Sequence, residues 1–87
     1  MRITLKLFAS LAAYLPPDAR PSHRLELDVP PGTTVMDVAR RQGLPEALCA
    51  IVLVDGVWVA RPERAQRALR EGEVLSIWPP VAGGVTS

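Results

Sequence analysis

The chain has 87 residues, of which 48% are hydrophobic, and its formal net charge is +1. This length allows one small domain with a packed core, and the hydrophobic content excludes a disordered chain. Basic and acidic residues are interleaved and nearly balanced, which excludes a basic nucleic-acid-binding surface.

Membrane, targeting and metal-binding patterns are missing from the sequence. No stretch approaches the ~20 apolar residues of a transmembrane helix, and residues 1–7 alternate instead of forming the apolar block of a signal peptide. We therefore expect a cytoplasmic protein without membrane contact. His23 and Cys49 are the single histidine and the single cysteine. The sequence thus predicts no disulfide, no metal site and no bound cofactor.

The first part of the chain predicts two strands separated by a loop. Residues 3–7 alternate between apolar and polar side chains, as expected for a strand with one buried face. Residues 9–15 are compatible with a short helical turn, and residues 16–22 form a proline-containing loop. A second alternating strand is predicted from about residue 23 to residue 29, where Pro30-Pro31-Gly32 ends it.

A helix is predicted after Thr34. Thr34 and Asp37 have the spacing of a capping box, in which each side chain accepts a hydrogen bond from the other's backbone N–H. An apolar stripe follows at Val35, Val38 and Ala39. Gly43 is placed to end this helix in a left-handed conformation.

The second half predicts a hairpin and a last strand. Residues 50–54 and 57–60 flank Asp55-Gly56, a strong signal for a type I′ turn. Residues 61–73 are charged with a weak helical pattern, and residues 74–78 read as the last strand. Within this half we interpret Cys49 as a small core residue and Trp58 as a sheet-packing residue. We interpret the arginines at 61, 64, 67 and 70 as one solvated face, and the alternative is a basic rim that meets an acidic partner surface.

The order strand, strand, helix, strand, strand, strand predicts the α+β class. One helix packed across a mixed sheet of about five strands is the β-grasp, or ubiquitin-like, arrangement, in which the first and last strands are parallel neighbours at the sheet centre. We expect a β-grasp domain at residues 1–80 and a flexible tail at residues 81–87.

The tail contains a distinctive sequence, Pro79-Pro80-Val81-Ala82-Gly83-Gly84. Proline donates no backbone hydrogen bond and fixes its φ, so Pro79 and Pro80 should end the last strand. Glycine has no Cβ, so Gly83 and Gly84 form a segment thin enough to enter a narrow channel. The sequence therefore predicts a folded body that presents its C-terminal segment to another protein.

Two aromatic residues are predicted beside this tail. By alternation, Phe8 and Trp78 point away from the helix, and parallel pairing of the first and last strands would bring them together. We expect a docking surface made of Phe8, Trp78, Pro79, Pro80 and Val81, since aromatic residues are favoured at interfaces. The alternative is that residues 9–22 cover the two rings.

The chain resembles the MoaD/ThiS family of ubiquitin-like sulfur carriers over nearly its whole length. The resemblance rests on five segments: Leu7-Phe8-Ala9-Ser10-Leu11, Pro31-Gly32-Thr33-Thr34-Val35, Val52-Leu53-Val54-Asp55-Gly56, Glu71-Gly72-Glu73-Val74 and the proline–diglycine segment at 79–84. The Phe8-Ala9-Ser10 sequence and the Pro79-Pro80 pair favour the molybdopterin branch of the family over the thiamine branch.

This resemblance implies a carrier and not a catalyst. In such families an E1-like adenylating enzyme uses ATP to activate the C-terminal glycine carboxylate, and a sulfur donor then converts it to a thiocarboxylate. In the molybdopterin branch the tail enters a large synthase subunit that holds the catalytic residues. By position, Gly84 would carry the sulfur and Gly83 would provide clearance.

The sequence departs from that pattern at Val85-Thr86-Ser87, because these residues leave Gly84 in a peptide bond. Either a peptidase removes them, or the protein does not carry sulfur on Gly84, or the three residues are an artefact. The alternatives to a molybdopterin role are a carrier for thiamine, cysteine or another sulfur metabolite, and a ubiquitin-like binding module or modifier without sulfur chemistry.

Overall fold

The computed structural model describes residues 1–80, and Val81 to Ser87 lie outside the described residues. Five strands form one sheet: β1 (Arg2–Leu7), β2 (Arg24–Asp28), β3 (Ile51–Val54), β4 (Val57–Trp58) and β5 (Val74–Trp78). One α-helix, α1 (Val35–Arg41), and three short 3-10 turns complete the fold: Ala9–Tyr14, Glu46–Leu48 and Arg61–Glu63. None of the helices within residues 1–80 is long and apolar enough to cross a membrane.

The sheet has the order β2-β1-β5-β3-β4, which confirms the predicted β-grasp topology. β1 and β5 are parallel neighbours, whereas β1–β2, β3–β4 and β3–β5 are antiparallel. The parallel pairing sets Leu5 beside Leu75 and Leu7 beside Ile77. The first and last strands therefore end at the same edge, where the tail begins.

The hydrophobic core lies between α1 and one face of the sheet. Alternation puts Ile3, Leu5 and Leu7 of β1 on this face, and all three are buried. Val52, Val54, Leu75 and Ile77 continue the same layer across β3 and β5. The predicted stripe of α1 packs against it, because Val35, Val38 and Ala39 are its buried residues. Cys49 is buried in this core, as the sequence predicted.

Both ends of α1 have the predicted caps. The Thr34 hydroxyl accepts from the Asp37 N–H at 3.1 Å, and an Asp37 carboxylate oxygen accepts from the Thr34 N–H at 3.0 Å. These hydrogen bonds from Thr34 hold the pKa of Asp37 below its ordinary value. At the other end Gly43 has φ +75°, and Leu44 N–H donates to the Ala39 carbonyl at 2.9 Å, closing a Schellman motif.

The Asp55-Gly56 turn has positive φ at both central residues, 49° and 82°, as a type I′ turn requires. Asp55 also has a role that the sequence did not reveal. Its Oδ1 accepts from the Val74 N–H at 2.8 Å, which ties the hairpin to the start of β5. The turn therefore fixes both the β3–β4 hairpin and the neighbouring strand.

The helical pattern predicted for residues 61–73 is wrong beyond its first turn. After Arg61–Glu63 the chain forms turns and an isolated bridge between Ala68 and Thr34. The apolar residues of this pattern are Ala65, Ala68 and Leu69. Only Leu69 is buried, and its N–H donates to the Thr33 carbonyl at 2.8 Å. In this segment, hydrogen bonds to the residues just before α1 thus replace the hydrogen bonds that a helix would form.

The interpretation of the arginines as one solvated face is also wrong. Arg64 is 3% exposed, and Arg67 is half-buried in an ion pair with Glu73 at 2.9 Å. Arg61 and Arg70 remain exposed. The four arginines recur every three residues, but this spacing does not indicate which of them are buried, because the segment is not a regular helix.

Candidate docking site at the root of the tail

The site begins with two aromatic rings at the shared end of β1 and β5. Phe8 directly follows β1, and its N–H donates to the Ile77 carbonyl at 3.2 Å. Trp78 is the last residue of β5. The two rings stack with centroids 4.5 Å apart and an interplanar angle of 8°. A stacked pair contributes about 0.5–1.5 kcal/mol beyond the burial of its surface, so each ring orients the other.

His23 extends this pair to three rings. Its imidazole stacks on Phe8 with centroids 5.7 Å apart and an interplanar angle of 14°. The backbone of His23 has φ +60°, and its Nδ1 lies 3.0 Å from the Leu7 carbonyl oxygen. Because β1 lies between β2 and β5, Phe8 is the middle ring of the three. We call Phe8, His23 and Trp78 the ring stack.

The sequence did not assign His23 to this site. The signal that could have found it is antiparallel pairing of the first two strands, which sets the start of the second strand beside the end of the first. In the structure this pairing joins the Leu7 N–H to the His23 carbonyl at 3.0 Å. The imidazole reaches Phe8 because the backbone of His23 is left-handed. An alternating pattern of apolar and polar residues does not indicate such a backbone.

An apolar surface continues from the ring stack across the open face of the sheet, the face opposite α1. Ile51 is paired with Trp78, and Trp58 with Leu53. Ile51 is 41% exposed and Trp58 is 54% exposed. We call Ile51, Leu53 and Trp58 the open-face patch. Trp58 was interpreted from sequence as a sheet-packing residue, but its exposure extends the candidate docking surface to the β4 edge.

The root of the tail lies next to these side chains. The Ala50 N–H donates to the Trp78 carbonyl at 3.0 Å. Pro79 is half-buried and Pro80 is exposed. Neither proline has an N–H to continue the ladder, which explains why the strand ends there. Val81, Gly83 and Gly84, which were also predicted as site residues, lie outside the described residues.

The rings of Phe8 and Trp78 are neither fully covered nor fully exposed. The 3-10 turn Ala9–Tyr14 follows Phe8 directly and buries Leu11 in the core. The turn therefore packs into the protein and leaves part of both rings accessible. The structure thus brings together four of the five predicted docking residues: Phe8, Trp78, Pro79 and Pro80.

The site suits contact with another protein. Residues 1–80 hold no group of three His, Cys, Asp or Glu side chains that could ligate a metal ion together. Exposed aromatic and aliphatic side chains beside a chain terminus provide binding energy without a reacting group. The chemistry of such a site would have to come from the tail and from a partner.

The chain is similar to known proteins in sequence and in fold. The model of the ThiS family matches residues 5–84, a range that contains the ring stack, the open-face patch and the diglycine. No curated protein matches this chain.

Solved structures share its fold. The crystal structure of SAMP1 from Haloferax volcanii is 28% identical, with a TM-score of 0.66, over 97% of this chain and 100% of that one. The solution structure of the HVO 2177 protein from Haloferax volcanii is also 28% identical, with a TM-score of 0.72, over 97% of this chain and 87% of that one.

A third solved structure is a complex of subunits 1 and 2 of the molybdopterin-converting factor from Helicobacter pylori 26695. The matching chain is 15% identical, with a TM-score of 0.57, over 97% of this chain and 100% of that one. This identity indicates a common fold alone.

Proposed function

This chain belongs to the ThiS family of ubiquitin-like sulfur carriers, and on that premise we propose that it carries sulfur on Gly84 for molybdopterin synthesis. In this proposal a peptidase first removes Val85, Thr86 and Ser87. The freed Gly84 carboxylate is then adenylated by an E1-like enzyme and converted to a thiocarboxylate.

The observation that carries the proposal is the ring stack at the root of the tail. Phe8 and Trp78 lie where β5 gives way to Pro79, and their rings are 4.5 Å apart. A partner that binds these rings is thereby placed next to the segment that leads to Gly84. The family match ends at residue 84, which supports Gly84 as the functional terminus.

The proposed chemistry explains why a separate enzyme and ATP are needed. A free carboxylate is a poor electrophile. Its oxygen attacks the α-phosphorus of ATP, pyrophosphate leaves, and the resulting acyl-adenylate has a good leaving group. Hydrosulfide delivered by a sulfur donor then attacks the acyl carbon, AMP departs, and the product is the thiocarboxylate, with no change of oxidation state. The described residues of this chain contribute binding and orientation, and the partner enzyme contributes catalysis.

The acceptor is proposed to be the large subunit of a molybdopterin synthase. The Phe8-Ala9-Ser10 and Pro79-Pro80 sequences support this choice over thiamine, cysteine or another sulfur metabolite. The matching chain of the molybdopterin-converting factor structure is in a complex of two subunits. We propose that the large subunit here contacts the ring stack and the open-face patch.

Reconstitution tests this proposal. Three chains are incubated with the host's E1-like enzyme, ATP and a sulfur donor: the full-length chain, a chain ending at Gly84, and a chain ending at Gly83. We expect pyrophosphate release and a thiocarboxylate mass only for the chain that ends at Gly84. Equal activation of the full-length chain would contradict the requirement for trimming, and activation of none would contradict the carrier role.

A second candidate function is protein modification. It is favoured by the similarity to SAMP1, since a further solved structure of that protein, 24% identical over 92% of this chain, is described as small archaeal modifier protein 1. Here a lysine amine of a target protein would attack the activated Gly84 carbonyl, giving an isopeptide bond. Host lysate with the Gly84-terminated chain distinguishes the functions: isopeptide-linked conjugates indicate a modifier, and a thiocarboxylate without conjugates indicates a carrier.

A further inference from the structure

A second region of the molecule has features that the carrier role does not use. A cavity of about 200 Å³ lies between α1 and the sheet, on the side of β3 and β5. Its floor and walls include Val35 and Ala39 of α1, Val52 of β3 and Ile77 of β5. Its mouth is bordered by Arg40 and Glu46, which are exposed. An apolar cavity of about 150 Å³ can hold a benzene-sized molecule, so this volume is sufficient for a small organic ligand.

The same cavity is lined by Arg64, which is buried. Its Nε donates to the Val59 carbonyl at 3.2 Å, its Nη1 to the Cys49 carbonyl, and its Nη2 to the Ala50 carbonyl at 3.3 Å. A guanidinium has five N–H donors. Within residues 1–80 two of the five therefore have no protein acceptor.

Arg64 also lacks an ion-pair partner among the described residues. Among residues 1–80 no carboxylate lies within 4.0 Å of the guanidinium. Neutral carbonyls satisfy hydrogen bonds but do not neutralise a cation removed from water, and a buried charge without a counter-ion is unfavourable. Burial and the neighbouring Arg61 lower the pKa of Arg64, and Cys49 and Glu46 act in the opposite direction without reversing the shift.

The other ionisable groups at the cavity leave room for an anion. Burial raises the pKa of the Cys49 thiol, so this side chain is neutral at physiological pH. Glu46 is exposed at the mouth, where water screens its charge, and it acts on Arg64 without forming an ion pair with it. Two cations and one exposed carboxylate therefore border the cavity, and its interior favours a negative group beside Arg64.

We propose that this cavity binds a small organic carboxylate with a short hydrocarbon body, held by the two remaining N–H groups of Arg64. Two oxygens of one carboxylate match the two terminal nitrogens of a guanidinium. The hydrocarbon body fills the space between Ala39, Val52 and Ile77. The apolar walls favour a carboxylate with such a body over inorganic phosphate or sulfate.

The direct test uses the full-length wild-type chain with hexanoate and its neutral isostere, hexanamide, at matched ionic strength. Hexanoate is expected to raise the melting temperature in a concentration-dependent manner, because a ligand that binds only the folded state stabilises it. Hexanamide is expected to have no effect. Equal shifts with both compounds, or no shift with either, would overturn the proposal.

Cys49 provides a second reading in the same sample. It is the only thiol in the chain and lines the same cavity. Hexanoate should slow alkylation of Cys49 by iodoacetamide severalfold, and hexanamide should not. An alkylation rate unaffected by hexanoate would place any binding elsewhere on the protein and so contradict the proposal.

Inorganic phosphate at the same concentration should give neither protection nor a thermal shift. If phosphate protects as well as hexanoate, the proposed ligand class is wrong.

Two variants locate the site. Ala39→Leu fills the cavity and should abolish the hexanoate effect, while Ala13→Leu adds the same atoms at an exposed position outside the cavity and should retain it. Arg64→Gln should weaken binding at least about tenfold, as expected when a charge-assisted pair is lost. Hexanoate binding that persists unchanged in folded Ala39→Leu would contradict the proposal. The wild-type measurements decide the question if a variant does not fold.

Discussion

The two faces of the sheet differ in what covers them. On one face, Leu5, Leu75 and Ile77 are fully buried beneath α1 and the chain around it. On the other, Trp58 and Ile51 are 54% and 41% exposed, and the ring stack lies beside them. Both faces are built by the same alternating strands. The covered face therefore stabilises the fold, whereas the exposed side chains of the open face are the ones proposed to bind a partner.

We therefore expect substitutions on the covered face to lower the free energy of unfolding, and substitutions on the open face to lower the affinity for a partner. Leu75→Ala should have the largest effect on stability. It removes a side chain that is 0% exposed, and such truncations destabilise by about 2–5 kcal/mol. Urea unfolding followed by circular dichroism measures the loss. A change of less than about 1 kcal/mol would contradict the assignment of this face to the core.

Trp78→Ala should produce the complementary result. We expect the affinity for the E1-like enzyme to fall at least about tenfold, as for an interface hot spot, while the protein stays folded. Tyr14→Ala is the matched control, because Tyr14 is a 37% exposed aromatic residue outside the site. Calorimetric titration compares the two. Equal affinity losses in both variants would remove the distinction between the site and the rest of the surface.

Gly43→Ala tests the covered face through the end of α1. No atom lies within 4 Å of a Cβ built on Gly43, so the expected loss of about 1–2 kcal/mol comes from its backbone at φ +75°. Gly43→Asn should retain part of the stability, since asparagine tolerates this conformation. Thermal unfolding measures both variants. The affinity for the partner should not change. A reduced affinity in folded Gly43→Ala would contradict the independence of the two faces of the sheet.

His23→Asn should have a small effect confined to the open face. Asparagine tolerates φ +60° but removes the ring that stacks on Phe8. We expect partner affinity to fall by about threefold, in the range of one lost aromatic contact. His23→Phe, which restores a ring, serves as the control. If His23→Asn leaves affinity unchanged, the imidazole is outside the functional surface.

The pH dependence of stability should show the smallest effect. The hydrogen bond from Arg67 holds the pKa of Glu73 below its ordinary value of 4.5. A depressed folded-state pKa gives stability that is present above the unfolded-state pKa and is lost as pH falls through the folded-state pKa. Unfolding free energy should therefore decline below about pH 4.5. Glu73→Gln should make this decline shallower, and an unchanged pH profile would contradict the linkage.

The strand order and the Phe8–Trp78 contact were predictable from the sequence. Period-two alternation assigns each side chain to a face, and parallel pairing of the first and last strands brings residues 8 and 78 to one edge. The Thr34–Asp37 cap and the Asp55-Gly56 turn were predictable because their chemistry is local.

The features that the sequence did not reveal depend on contacts between distant residues. His23 reaches the ring stack because its backbone is left-handed. The buried side chain of Arg64 donates hydrogen bonds to the carbonyls of Cys49, Ala50 and Val59. No spacing encodes either arrangement. An arginine among exposed charged residues is usually solvated, so the buried guanidinium could be found only from the packed structure.

Intact mass spectrometry of the protein isolated from its native host tests the carrier role most directly. If Gly84 carries sulfur, the spectrum should contain a species that ends at Gly84 and has sulfur in place of one carboxylate oxygen. This species should disappear when the E1-like enzyme is deleted. A population that consists only of chains ending at Ser87, with unmodified carboxylates, would contradict the proposal that Gly84 carries sulfur.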